Sequence, residues 1–357
     1  MIQKASESEA VFSPPPVMGP RRILVRSPSW VGDSVMATPA LRALRAAHPE
    51  AEIALEAEAS LEALYRGLSY YDTFLPAARS ARELLARARA LRAAHFDWAV
   101  LLPDSPRAAL APFLARVPRR IGYARDPLRR ALLSESLPVP RENGQRLPIP
   151  MPDRYRAITR ALGCRDCGDE LSLCVDPLAA DDVARRLAQC GVGARNGVLV
   201  AAPGASFGSS KLWPAEHFAR ACDAIARRHD LIPVLAASPA ETAIALDVAG
   251  RMRERAVTLV EPALDLGELK ALIARSQLVL SNDTGPRHIA VAFDRPVVVV
   301  MGPTDRRHTD VHLARQRVLR EDVSCAPCHL QVCPTDHRCL TRLTPESAVA
   351  AAEELLG

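Results

Sequence analysis

Twice along this chain, short apolar runs alternate with amphipathic helical stretches, and no other feature restricts the fold as strongly. A parallel strand pair needs a helix-length crossover, so such alternation builds parallel sheets covered by helices on both faces. In the first pass the pattern predicts strands at 22–26, 52–55, 72–75, 97–102 and, as the last, 120–123. Helices are predicted at 34–47, 60–67, 80–95 and 107–115. Pro39 lies inside the first of these, which requires that helix to start late or to kink. Residues 137–152 carry five prolines and read as a surface loop. A helix at 153–162 then packs back on the first domain. The boundary is placed at Val175-Asp176-Pro177, after which the alternation restarts. The second pass predicts strands at 197–202, 232–236, 256–260, 278–281 and 297–301. Its helices fall at 214–229, 241–251, 266–274, 287–293 and 346–356.

The expected architecture is therefore α/β, with two Rossmann-like doubly wound domains, 21–176 and 177–357, facing across a cleft. Ligands of such sheets bind at the carboxyl ends of the strands. Residues 1–20 are polar and proline-bearing, without an apolar signal core, and read as a disordered leader. No apolar run reaches the roughly 18–20 residues of a spanning helix, so a cytoplasmic protein is expected.

The formal net charge of +5 is too small to argue for nucleic acid, and aromatic residues make up only 4%, leaving few stacking platforms. It is compatible with a phosphorylated substrate or an anionic membrane surface. The cations are lopsided: three lysines, Lys4, Lys211 and Lys270, stand against 43 arginines. A lysine retained inside a polar loop therefore carries weight.

Three turns follow predicted strands and carry polar chemistry. Ser281-Asn282-Asp283-Thr284-Gly285-Pro286-Arg287-His288 joins a strand to a short helix. Pro286 suits the first helical position, and Thr284 or Asp283 the cap. Such a helix end aims free N–H groups and a positive dipole at an anion. The loop Pro203–Pro214 combines small and hydroxyl residues with Lys211, then enters a helix at Pro214. It lacks Walker A spacing, yet its backbone and its lysine suit a diphosphate. The third turn, Ser27-Pro28-Ser29-Trp30-Val31-Gly32-Asp33, places Asp33 at a helix head, either as an N-cap or as a general base aimed into the cleft.

Two further groups are basic. The basic stretch 116–130 offers Arg119 and Arg120 as contacts to an anionic acceptor, against an ordinary basic face. The arginine-rich helix 80–95 reads as a solvated face, with a membrane-surface role as the alternative. Nine cysteines, an odd number, do not form a disulfide framework. Four of them cluster as Cys325-x2-Cys328-x4-Cys333-x5-Cys339, where a structural zinc competes with a reduced loop.

Pro28-Ser29-Trp30-Val31-Gly32-Asp33, the Gly204–Pro214 loop with Lys211-x-Trp213-Pro214, and Asn282-Asp283-Thr284-Gly285-x-x-His288 resemble the motifs of bacterial ADP-heptose:lipopolysaccharide heptosyltransferases, glycosyltransferase family 9. The Pro-Ser-Trp-Val-Gly-Asp form resembles the heptosyltransferase II branch. The resemblance runs from about Arg21 to the C-terminus. It implies a GT-B fold with the acceptor on the first domain and ADP-heptose on the second. The implied reaction is inverting transfer of heptose to the inner-core heptose of Kdo2-lipid A. By position, Asp33 matches the general base. Ser206 and Lys211 match residues near the donor phosphates, and Asp283, Thr284, Gly285 and His288 match the donor-binding turn. No cofactor is required by this resemblance. The implied setting is the cytoplasm, with peripheral contact at the inner membrane and no nucleic-acid partner. A sister glycosyltransferase with another acceptor, or a non-catalytic sugar-nucleotide-binding protein, remains open at this point. Pro286-Arg287 departs from many members, and the cysteine cluster has no place in the transfer chemistry.

Overall fold

The computed structural model describes residues 19–142 and 144–357; the leader expected at 1–20 lies, up to residue 18, outside the described residues. In chain order the first half comprises β1 (Arg22–Arg26), α1 (Val31–Met36), α2 (Thr38–Ala47), β2 (Glu52–Ala57), α3 (Glu62–Tyr65), β3 (Thr73–Pro76), α4 (Ala81–Ala93), β4 (Trp98–Leu101), α5 (Pro106–Leu114), β5 (Arg119–Ala124), α6 (Pro127–Leu132) and β6 (Glu135–Pro138). A small hairpin, β7 (Arg141–Glu142) with β8 (Gln145–Arg146), precedes α7 (Met151–Ala161). The second half comprises α8 (Pro177–Gln189), β9 (Gly197–Ala202), α9 (Ala215–His229), β10 (Leu231–Leu235), α10 (Thr242–Arg251), β11 (Val257–Thr258), α11 (Leu266–Arg275), β12 (Leu278–Asn282), α12 (Gly285–Ala292), β13 (Val297–Val300), β14 (Gln316–Leu319), α13 (Arg338–Thr341) and α14 (Pro345–Leu356).

Both halves form six-stranded sheets of the same order, β3-β2-β1-β4-β5-β6 and β11-β10-β9-β12-β13-β14. All their pairings are parallel. The order reverses between β1 and β4 in one sheet and between β9 and β12 in the other. Those two switch points are where open α/β sheets leave a crevice.

The central strands carry continuous apolar sequence because helices cover both faces. Val297–Val300 is fully buried, each side chain contributing about 1.5–3 kcal/mol relative to exposure. The edge strands do not, and there the sequence reading stopped one strand short in each sheet. β6 and β14 are mostly half-buried, with Ser, Glu, Gln and Arg among their residues, so they lack an apolar signature. β6 and the small hairpin also fall where an extended loop was expected. α8 was missed as well, although Asp176 caps it by accepting from the Leu178 N–H at 3.0 Å. The Pro39 conflict resolves by division: the expected helix breaks at Ala37, and Pro39 takes the second position of α2, where its missing N–H is no loss.

The halves meet along α1 against α12 and α3 against α11. Lys270 of α11 is fully buried and donates to the carbonyls of Leu64 (2.9 Å) and Arg66 (3.2 Å), capping the end of α3. One buried apolar cluster runs from Ile23 and Val25 of β1 through to Val198 and Val200 of β9. α7 packs on α2, and α14 on α9.

Candidate active site

A pocket of about 360 Å³ opens between the two switch points. The first half contributes Trp30, Val31, Gly32, Asp33 and Met36 from the turn after β1 and from α1. From the second half come Gly204, Ser206, Phe207 and Lys211 of the loop after β9, Glu241 after β10, and Asp283, Thr284, Gly285 and His288 after β12. All three polar turns singled out in the sequence thus converge on one space.

The two turns facing each other are built alike and charged differently. Trp30, not Asp33, is the N-cap of α1, so Asp33 sits inside the first turn with its carboxylate free of capping duty. Among the described residues no donor reaches that carboxylate. Burial pushes its pKa up to about 6, against the opposing pull of Lys211 and Arg154. Across the pocket, Asp283 is 4% exposed and fully engaged. It accepts from Lys211 Nζ at 3.0 Å, Arg287 Nη1 at 2.9 Å and Thr304 Oγ1 at 2.7 Å. Burial pushes this carboxyl up, but the Lys211 and Arg287 charges and the Thr304 hydroxyl outweigh it and hold it well below the usual range.

The expected capping at 283–286 is corrected in detail. Thr284 is the N-cap of α12 but makes no side-chain cap bond, its hydroxyl donating instead to the Asn282 carbonyl at 3.3 Å. Gly285, not Pro286, is the first helical residue. Gly285 is also needed for close approach: a Cβ there would stand 2.8 Å from Val31 Cβ and Cγ1. Gly32 answers it from the other side, where a Cβ would lie 2.6 Å from His288 Cδ2. His288 is 4% exposed, and burial, with Arg287 adding to it, pushes its pKa down to about 3, so the ring is neutral.

Lys211 closes a short 3₁₀ turn, Ser209–Lys211, and its ammonium also donates to the Asp283 carbonyl at 2.7 Å. Asn282 ties the two loops together, donating to the Pro203 carbonyl at 2.6 Å and accepting from the Trp213 N–H at 3.3 Å. Pro214, expected at the first helical position, is instead the N-cap of α9, which starts one residue later at Ala215. Ser206 Oγ donates to Glu241 Oε1 at 3.3 Å.

Arg119 and Arg120 are not in the pocket. They open β5, at the sheet edge opposite the carboxyl ends, and their guanidinium groups are committed. Arg119 pairs with Glu135 at 2.6 and 3.0 Å and lies over Trp98, while Arg120 donates to the Leu132 and Val117 carbonyls. The first-half cation acting on Asp33 is Arg154 of α7, which pairs with Asp104 at 2.8 Å and stacks on Tyr123. Sequence reading passed over Arg154, Glu241 and Arg287. Arg287 had the one visible signal, its place inside the 282–288 motif.

The four clustered cysteines lie near one another: burial pushes the Cys339 thiol up, and Cys333, Cys325 and Cys328 add to it. Among the described residues no three His, Cys, Asp or Glu side chains form a metal-holding group. Cys325 is exposed and Cys339 buried. The loop they occupy instead braces the Lys211 turn: Ser210 donates its N–H to the Gln331 carbonyl (3.0 Å) and its hydroxyl to the Leu330 carbonyl (2.5 Å).

A half-buried, unpaired carboxylate facing a lysine and a helix N-terminus across a two-domain cleft is an arrangement for group transfer from an anionic donor. Comparison with known proteins agrees. Lipopolysaccharide heptosyltransferase 2 of Salmonella typhimurium is 29% identical over 310 residues, 84% of this chain and 88% of the relative. The structure of the Escherichia coli ADP-heptose lps heptosyltransferase II superposes with a TM-score of 0.74 at 26% identity, covering 94% of this chain and 98% of the other. The glycosyl transferase family 9 protein of Veillonella parvula superposes at 0.80 with 20% identity, covering 94% and 97%. Residues 84–338 match the model of glycosyltransferase family 9 (heptosyltransferase), and the chain belongs to that family.

Proposed function

We propose that the chain transfers L-glycero-D-manno-heptose from ADP-heptose to the inner-core heptose of Kdo2-lipid A, with inversion at the anomeric carbon. The observation that carries this is Asp33: an unpaired carboxylate with a pKa of about 6, opening into the space that Lys211 and the start of α12 border. A base of that strength is ionised at neutral pH yet still able to take a proton. In this reading Asp33 accepts the proton of the acceptor hydroxyl as its oxygen bonds to the anomeric carbon. The bond from that carbon to the ADP oxygen breaks on the opposite face, which inverts the configuration. Lys211 and the free N–H groups of α12 meet the charge growing on the departing diphosphate. Glu241, at the carboxyl end of β10, stands where an acid in a Rossmann-like domain takes ribose hydroxyls. Asp283 holds Lys211 in place.

The similarity to heptosyltransferases 2 favours the heptosylated acceptor. Such an acceptor is lipid-borne, and no described helix is long and apolar enough to cross a membrane, so the enzyme would meet it peripherally, from the cytoplasmic side. Purified protein is offered ADP-heptose with Kdo2-lipid A or with its singly heptosylated form, and products are weighed. Addition of one heptose to the heptosylated form alone is expected. Addition only to Kdo2-lipid A reassigns the acceptor, and no product with either rejects the reading.

A further inference from the structure

Trp30 is 55% exposed, whereas Trp213 is 3% exposed and Trp98 is half-buried beneath Arg119. A large apolar ring left in water forgoes most of what its burial would contribute, so its exposure at the mouth of a site calls for a ligand. Its pedestal is rigid. Trp30 is the N-cap of α1, with φ −88° and ψ 140°, and its carbonyl accepts from the Ser34 N–H at 2.9 Å. The Pro28 carbonyl just before it accepts from the hydroxyls of Ser27 (3.0 Å) and Ser34 (3.2 Å), and Tyr65 Oη lies 2.6 Å from Ser27 Oγ. An aromatic face fixed in advance loses little freedom when a ligand stacks on it.

Trp30 and Asp33 are three positions apart, and both line the pocket. A pyranose has an apolar face of polarised C–H bonds, which the negative face of an indole attracts, and a rim of hydroxyls for a carboxylate. A nucleobase would stack equally well. The elements suited to a nucleotide, however, all stand on the second half of the chain. Trp30 stands on the first, beside the group that must receive the acceptor's proton.

We infer that Trp30 is the stacking platform for the acceptor's sugar ring, deciding which of its hydroxyls meets Asp33. This rests on the transfer reading given above. Trp30→Ala should raise the acceptor KM about tenfold, leave the ADP-heptose Kd by calorimetry unchanged, and yield product linked at more than one hydroxyl by NMR. Trp30→Phe should recover most of the affinity. Adding acceptor should blue-shift tryptophan emission in the wild type and not in Trp30→Phe, an arm that does not depend on the alanine variant folding. An acceptor KM within twofold of wild type in Trp30→Ala overturns the inference. So does a tenfold loss of donor affinity with the acceptor KM unmoved, which would make the indole a nucleotide contact. If the wild type itself forms no product, the transfer reading has failed, and that outcome is distinct from both.

Discussion

The turn after β1 and the turn after β12 are the same device used to opposite ends. Each leaves a central strand at a switch point, each enters a helix, and each places an aspartate in the common pocket. Asp283 is surrounded by Lys211, Arg287 and Thr304 and stays ionised under all ordinary conditions. Asp33 is half-buried and has no bonded partner, and loss of water around it lifts its pKa to about 6. Burial alone does not make a base or an anchor; the presence or absence of partners decides which a buried carboxylate becomes.

Removing each carboxylate in turn tests that contrast most severely. Asp33→Ala should lower turnover by about 10²–10⁴-fold, while ADP-heptose binds as in the wild type; near-normal turnover would end the assignment of the base. Asp283→Asn should act chiefly on stability, because it leaves the half-buried Lys211 without a carboxylate and the buried Arg287 with only Asp310, 3.5 Å away. The expected loss is about 3–5 kcal/mol in denaturant unfolding. Asp33→Asn should go the other way. A folded pKa raised above the unfolded value means that ionising Asp33 costs stability as pH rises from about 4 to about 6. At pH 7 that cost is fully present, so the amide should leave the protein as stable as before or more so.

Much of this contrast was legible in the sequence, and the part that was not has a physical reason. Both turns, the Lys211 loop and the doubled α/β order follow from apolar periodicity and from Gly, Pro and Asp at strand ends. The edge strands β6 and β14 escaped because half-buried strands carry no apolar run. The polar turn after β12 was found, but the pairing of Asp283 within it was not, since its partners Lys211 and Thr304 are far away in sequence. Arg119 and Arg120 were chosen for their charge. Charge does not reveal which end of a strand a residue occupies, and these two sit at the wrong end, already paired. Arg154 was invisible for the converse reason: one arginine among 43 becomes special only by folding next to Asp104 and Asp33.

The two turns also touch, and the contact is set by glycines. Gly285→Ala would drive a methyl to within 2.8 Å of Val31 Cβ, and only parting α1 from α12 relieves it. The expected cost is about 1–3 kcal/mol of stability, with a fall in turnover as the two halves of the site separate. Removing the opposing Cβ as well, in Gly285→Ala with Val31→Gly, should restore part of both. If the double variant is no better than the single, the glycine serves the donor and not the contact.

The smallest effect expected is on pH dependence, and it probes the comparison at its most sensitive point. Because Asp33 must be ionised to accept a proton, turnover should rise with pH through a limb near 6 and level off above it. Asp283 stays charged throughout that range and adds no second limb. Arg154 and Lys211 both favour the ionised form of Asp33, so losing either charge should move the limb upward. Lys211 is the poorer test, since its removal also strips Asp283 of a bonded partner. Arg154→Met keeps the packing on Tyr123 and removes only the charge, though it frees Asp104, which by itself raises the Asp33 pKa further. Both consequences have the same sign. A limb that stays in place, or moves down, would mean that the ionisation governing turnover belongs to a group other than Asp33.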